Sequence, residues 1–246
     1  MYGQSTPKAA PRFRRSLLAW YRRAARDLPW RRTRDPYAVL VSEFMLQQTQ
    51  VARVLEYYEP FLAKYPTIRH LARARPATVR EAWDGLGYYR RAANLHRLAR
   101  EVVAKHEGML PREPEELRRL PGVGAYTAGA VTTFAYERPA AAVDTNVRRV
   151  LERVFVGRDG AKGAGSAASG SGRGSGRTGA RGRGRRLARG VTALAESLQP
   201  RRGKTAWAFN QALMELGALV CTARAPKCAQ WPVRAVCRWV GEGRAR

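Results

Sequence analysis

Two carboxylates and a glycine hairpin are the residues of this chain best suited to chemistry. Glu43 lies within Ala38–Leu55 among the apolar anchors Val39, Leu40, Met45 and Leu46. A carboxylate so placed must find a partner, stay neutral or face a cleft. One that stays protonated near neutral pH can act as a general acid, although a lone helical Glu is more often solvated surface. Asp144 precedes Thr145-Asn146 and the periodic Val147, Val150 and Leu151, the position of an N-cap. Leu120-Pro121-Gly122-Val123-Gly124 separates two helical patterns. Pro121 sets one backbone angle, and the glycines permit positive φ and close approach by another chain. The pattern that follows predicts a helix over Ala125–Phe134 whose first N–H groups are unpaired, a ready site for phosphate. A plain helical hairpin with a plain cap is the bland alternative. The two features together, in a chain this basic, favour phosphate binding.

Two further stretches carry groups that suit nucleic acid. Gln47 and Gln48 each offer an amide donor and acceptor fitted to base edges, or simply face solvent from a helix. Gly85-Leu86-Gly87-Tyr88-Tyr89-Arg90 is a flexible turn presenting two aromatics beside a cation. Tyrosines there either pack inward or wedge into a duplex and stack on bases.

The elements that must hold these groups read as helices. Apolar residues recur at helical spacing through most segments, so the expected fold is all-α. Residues 1–11 are polar and proline-bearing and are expected to be a disordered tail. Phe13–Ala25 reads as a basic amphipathic helix with Phe13, Leu17, Trp20 and Tyr21 on one face. Breaks fall at Asp27–Arg31, Pro66 and Pro76, and further helices are expected over Leu187–Leu198 and Thr205–Val220. Residues 157–190 differ from all of this: 12 of 34 are glycine and nine are basic, against the single acid Asp159. Such a stretch cannot bury a core and is expected to be a flexible cationic insert.

The formal net charge is +27, of which +19 remains without the insert, so the partner class is a polyanion. Charge alone does not separate an enzyme from a ribosomal or chromatin-like protein. No apolar run reaches membrane-spanning length, and the N-terminus lacks the apolar core of a secretory signal. Three cysteines, all between Cys221 and Cys237, do not make a secreted disulfide framework. A cytoplasmic protein is expected.

Four motifs in order carry a resemblance. LPGVGxxTAGA from Leu120, VDTNVxRV from Val143, SEFMLQQTQV from Ser42 and GLGYYRRAxNL from Gly85 resemble the endonuclease III superfamily of helix-hairpin-helix glycosylases. Within it the chain looks most like the A/G-specific adenine DNA glycosylases, over residues 12–156 and 187–237. The resemblance implies two helical subdomains flanking a DNA-binding cleft, residues 36–143 forming one and 12–35 with 144–246 the other. It implies hydrolysis of the N-glycosidic bond of adenine mispaired with guanine or 8-oxoguanine in double-stranded DNA, by a nucleoid-associated monomer. Glu43 is then the acid that protonates the leaving purine, and Asp144 stabilises the charge that develops on the sugar, with Asn146 orienting Asp144 or the substrate. Trp30 and Arg31 of the LPWR segment line the adenine pocket, with Gln211 facing the base. Leu46, Gln47, Gln48 and Tyr88 contact the opened duplex, and Gly122, Val123, Gly124 and Tyr126 belong to the hairpin.

Relatives that also cut the strand carry a lysine where this chain has Tyr126, so a monofunctional glycosylase is implied. An endonuclease III-like enzyme for oxidised pyrimidines and a catalytically silent DNA-binding module are the alternatives. In the family four cysteines hold a [4Fe–4S] cluster. Here the tail reads Cys221-x6-Cys228-x2-Trp231-x5-Cys237, with Trp231 at the third ligand position. Indole offers iron no lone pair, which leaves open a cluster with an outside ligand, a labile three-iron form, or no metal. The chain ends at Arg246, and the separate domain by which many relatives read 8-oxoguanine is expected to be absent.

Overall fold

Prolines and short polar side chains begin the helices of this protein, as a computed structural model of residues 6–158 and 190–244 shows. Proline sits in the first turn of α1 (Ala10–Ala24), α2 (Pro29–Arg32), α3 (Pro36–Leu46), α6 (Pro76–Glu81) and α8 (Pro114–Leu117). Its missing N–H costs nothing there and its φ already suits the helix. Asp35 caps α3 by accepting from Tyr37 N, and Thr67 caps α5 (Ile68–Arg73) by accepting from His70 N. No strand occurs among the described residues, as the periodicity predicts.

The chain divides into two compact units, Asp27–Ala142 and the pairing of the residues up to Arg26 with those from Val143 onward. The first boundary lies at Arg26/Asp27 rather than at 35/36. The reason is local packing: α2 contacts α3, and Trp30 stands edge-on to Tyr58 with ring centroids 5.4 Å apart.

In the Asp27–Ala142 unit, α3 is the central element. Every residue from Tyr37 to Met45 is buried, so this helix is enclosed on all sides. It packs against α4 (Val51–Lys64), α7 (Arg90–Lys105) and α9 (Ala125–Phe134). Trp83 and Phe61 meet edge to face at 5.7 Å and are almost wholly buried, each such side chain stabilising the fold by about 1.5–3 kcal/mol. In the other unit α1 and α10 (Thr145–Leu151) pack on α12 (Gly203–Leu219), with α11 at 190–197 and α13 at Arg238–Arg244. Phe13 is edge-on to both Phe155 and Phe209. Arg26 clasps the fully buried Glu215 of α12 through Nε at 2.7 Å and Nη2 at 2.9 Å.

Two expectations are corrected. α1 begins at Ala10, inside the stretch read as a disordered tail, because Pro11 is a helix initiator at that position and Ala10 is wholly buried. Trp20 is only half-buried, so Ala10, Phe13, Leu17 and Tyr21 form the inward face. The structure also divides the Ala38–Leu55 stretch between α3 and α4, with residues 47–50 between them. Nearly all of the 157–190 insert lies outside the described residues. No helix among those described is long and apolar enough to cross a membrane.

Candidate active site

Glu43 is only 4% exposed, near the end of the apolar helix α3. α3 stops at Leu46, and the chain turns sharply through Gln47 and Gln48. Gln48 has φ 58° and is exposed, while Leu46 and Gln47 are half-buried. The two glutamines therefore stand on a turn and not on a helix face. A non-glycine residue in the left-handed region costs of order 1–3 kcal/mol and persists only where its surroundings impose it.

A second left-handed residue occurs in the same unit. Gly85 and Gly87 have φ 88° and 70°, and Tyr88 follows at φ 47° with 62% of its surface exposed. Tyr89 is tied down, its hydroxyl donating to Asp84 and its ring lying 4.9 Å from the Arg80 guanidinium carbon. Both tyrosines are exposed, Tyr88 more so than Tyr89, of whose surface 37% is open.

The hairpin lies in the same unit. Val123 N donates to Leu120 O at 3.2 Å, closing the turn, and Val123 is buried beneath it. Gly122 has φ 79°, and a Cβ there would stand 2.8 Å from Asn94 Cβ and 3.1 Å from Phe44 Cε1. Only glycine satisfies both the backbone angle and this approach to α7 and α3. Gly124 is the N-cap of α9 and is exposed, and no side chain caps that helix. Its first N–H groups are thus available to an anion. Tyr126 is half-buried in the first turn.

In the other unit Asp144 caps α10, accepting from Val147 N at 2.6 Å through Oδ1. Asn146 Nδ2 donates to its second oxygen at 3.1 Å. Burial pushes the Asp144 carboxyl above its ordinary value of 3.8, the hydrogen bonds from Val147 and Asn146 and the nearby Arg149 working the other way. An incompletely solvated carboxylate is stabilised strongly by any positive charge that develops beside it.

Sequence reading missed what holds this group. Arg149 Nη2 donates to Asn146 Oδ1 at 2.7 Å and to Gly217 O at 2.8 Å, and its Nε donates to Cys221 O at 2.7 Å. One cation thus joins α10 to the end of α12. Gly217 makes the approach possible, since a Cβ there would sit 2.7 Å from Asn146 Cβ and 3.1 Å from Asn146 O. No motif marks Gly217; it reads as an ordinary glycine in a helix. Gly217→Ala is expected to push Asn146 away from Asp144. The rate of any reaction that depends on Asp144 should then fall by roughly 10–100-fold, as small misplacements do, with overpacking costing about 1–3 kcal/mol. Single-turnover kinetics beside a thermal melt would check both.

Known proteins share this arrangement of elements and motifs. Residues 41–165 match the HhH-GPD superfamily base excision DNA repair protein family. The adenine DNA glycosylase of Mycolicibacterium smegmatis is 43% identical over 228 residues, covering 92% of this chain and 69% of that one. This chain belongs to the adenine DNA glycosylases. The human adenine DNA glycosylase is also 43% identical, over 92% of this chain, but the chain spans only 39% of that protein's length. A solved structure of a thermostable thymine-DNA glycosylase superposes with a TM-score of 0.78 at 29% identity, covering 96% of this chain and 98% of its own.

Other residues that the adenine DNA glycosylase resemblance singles out have these places. Trp30 is buried against Tyr58 in its own unit, and Arg31 beside it is half-buried. Gln211 is buried on α12. By the resemblance, the cysteine tail is where an iron–sulfur cluster would bind. Cys221 and Cys237 are buried, Cys228 is half-buried, and Trp231 is 5% exposed with no hydrogen-bond partner at its indole nitrogen. The cavity these four residues share with Arg153 and Trp239 measures about 10 Å³, room for about one water. Arg153 brings a cation against the sulfur, Nη1 donating to Cys221 Sγ at 3.3 Å and to Thr222 O at 2.8 Å, with Nη2 donating to Ala223 O at 3.0 Å. Its guanidinium carbon lies 5.0 Å from the centre of the Trp239 ring. Among the described residues no three His, Cys, Asp or Glu side chains are grouped to hold a metal. The tail does not fit the cluster.

Proposed function

We propose that this protein hydrolyses the N-glycosidic bond of adenine mispaired with guanine or 8-oxoguanine in duplex DNA. The observation that carries the reading is Glu43, a carboxylate 4% exposed on an apolar helix in a member of the adenine DNA glycosylases. The bond lies inside the base stack, so the enzyme must extrude the nucleotide before acting on it. The uncapped start of α9 and the surface cations grip phosphates, and Tyr88 and Gln48 fill the space the base leaves. Glu43 protonates the leaving purine. Asp144, oriented by Asn146, stabilises the positive charge on the sugar or captures it, and water completes the hydrolysis. Tyr126 cannot form a Schiff base, so base removal proceeds without strand cleavage through an amine.

Duplexes carrying A:G, A:8-oxoguanine, T:G and thymine glycol test the reading, T:G because of the likeness to a thymine-DNA glycosylase. Adenine release from the first two, with no borohydride-trapped adduct, is the expected result. Release of thymine or thymine glycol in preference to adenine would overturn it, and so would binding with no release at all.

The same reading takes the tail as packing rather than metal chemistry. Trp231 and Arg153 line the small cavity that the cysteines share, and no cluster takes part in the reaction. Protein purified anaerobically is expected to hold far less than one iron per chain and to lack the broad visible absorption of a cluster, while excising adenine. Stoichiometric iron and sulfide in an active preparation would contradict this.

A further inference from the structure

Arg91, the second residue of α7, is 7% exposed and bonded almost entirely outside its own helix. Nη1 donates to the carbonyls of Phe44 at 2.9 Å, Met45 at 2.6 Å and Gln47 at 2.6 Å. Nη2 donates to Thr49 Oγ1 at 2.9 Å and to the carbonyls of Leu86 at 3.0 Å and Gly87 at 3.1 Å. Two nitrogens carry four hydrogens, so these acceptors share them as three-centre bonds. The guanidinium carbon also lies 5.5 Å from the ring centres of both Trp83 and Tyr88.

A cation in this place needs a reason. It sits in the first turn of α7, where the helix dipole disfavours positive charge, and burial weakens its hold on the proton. Among the described residues no carboxylate pairs with it. Its partners supply the reason. Phe44 and Met45 belong to the last turn of α3, whose carbonyls have no partners within the helix, so Arg91 caps the helix that carries Glu43. Gln47 O and Thr49 Oγ1 bracket Gln48. Leu86 O and Gly87 O immediately precede Tyr88. One planar group is therefore bonded beside both of the left-handed residues described above, and both of those side chains point to solvent.

We infer that Arg91 is a positioning residue for base extrusion: its guanidinium locks the Gln48 and Tyr88 turns to each other and to the end of the Glu43 helix. The two side chains then enter the duplex as one preformed wedge. Neither turn has to be ordered at the moment of binding, which removes that entropic cost from extrusion. The role rests on the base-extruding reading above; the lock itself does not.

Arg91→Lys keeps a charge but offers three donors from a single nitrogen in place of the planar fork, too few to hold the six acceptors of the two turns. Amide hydrogen exchange on the DNA-free variant is expected to quicken at least about ten-fold over both 44–50 and 85–90, while α9 and the remainder of α7 keep their protection. Thr49→Val removes a single acceptor from one side and leaves the cation in place, so it serves if Arg91→Lys does not fold. It should loosen residues 85–90 as well as its own turn, and loosening confined to 47–50 would overturn the lock. The role in extrusion is read with 2-aminopurine at the target position. Its fluorescence rise on binding should drop several-fold in either variant, with affinity for the duplex held within about three-fold because phosphate contacts are untouched. An unchanged rise in a variant whose two turns exchange faster would refute that role. If the wild type binds but gives no rise, extrusion itself fails, and the exchange result still judges the lock separately.

Discussion

Glu43→Gln is expected to lower the single-turnover rate of adenine excision by at least about 10²-fold, the usual contribution of a positioned general acid. The amide has the shape of the carboxyl group and fills the same place on α3, where the native side chain is 4% exposed. It has no proton to deliver to the purine, and loss of the proton is the one change that matters for the leaving group. Affinity for a duplex with a non-cleavable adenosine analogue should stay within about three-fold of wild type, since phosphate contacts dominate binding. Excision at a near wild-type rate would remove Glu43 from the mechanism. A large loss of binding would mean that the side chain grips DNA instead.

Asp144→Asn separates charge from structure even more cleanly. Asparagine caps a helix about as well as aspartate, so Val147 N keeps an acceptor and α10 its start. What disappears is the negative charge that the proposed mechanism sets beside the sugar, and the rate should fall by about 10²–10³-fold, as when one preorganised electrostatic group is removed from an active site. The pH profile adds a second test. Burial raises the folded-state pKa of Asp144 above 3.8, and the proposed mechanism uses the ionised form. The wild-type rate should therefore fall on the acid side at a higher pH than an ordinary aspartate would give, and Asp144→Asn should lack that limb. The stability consequence has the opposite sense. A raised carboxyl pKa favours the folded state most below the ordinary aspartate value, and this contribution is lost as pH rises through the raised value. At neutral pH the buried charge opposes folding, so Asp144→Asn should melt no lower than wild type. A variant that is both slow and markedly less stable would show that its defect is structural.

Much of the candidate site was legible because it depends on local rules. The LPGVG turn, the helix over Ala125–Phe134 and the Asp144 cap each follow from residues within a few positions of one another. Glu43 was visible as a carboxylate in an apolar stretch. The start of α1 was misplaced because a polar, proline-bearing N-terminus reads as a tail until Ala10 is seen to be wholly buried.

By itself, then, the sequence determined an all-helical chain, its basic character, the turn chemistry of its hairpin and which carboxylates stand out. Each of these depends on backbone preference or on charge carried by a short run of residues. Tertiary structure decided the rest. Whether Gln48 lies on a helix or a turn depends on Arg91, which bonds to Phe44 across 47 positions and stops α3 there. The setting of Asp144 depends on Arg149 reaching Cys221 across 72 positions, and on Gly217 allowing α12 close to Asn146. Trp231 reads only as a missing ligand until Arg153 and Trp239 are seen packed around the same small cavity. In every such case the deciding hydrogen bond or contact joins residues distant in sequence. The free energy that selects the conformation is absent until the chain has folded and brought them together.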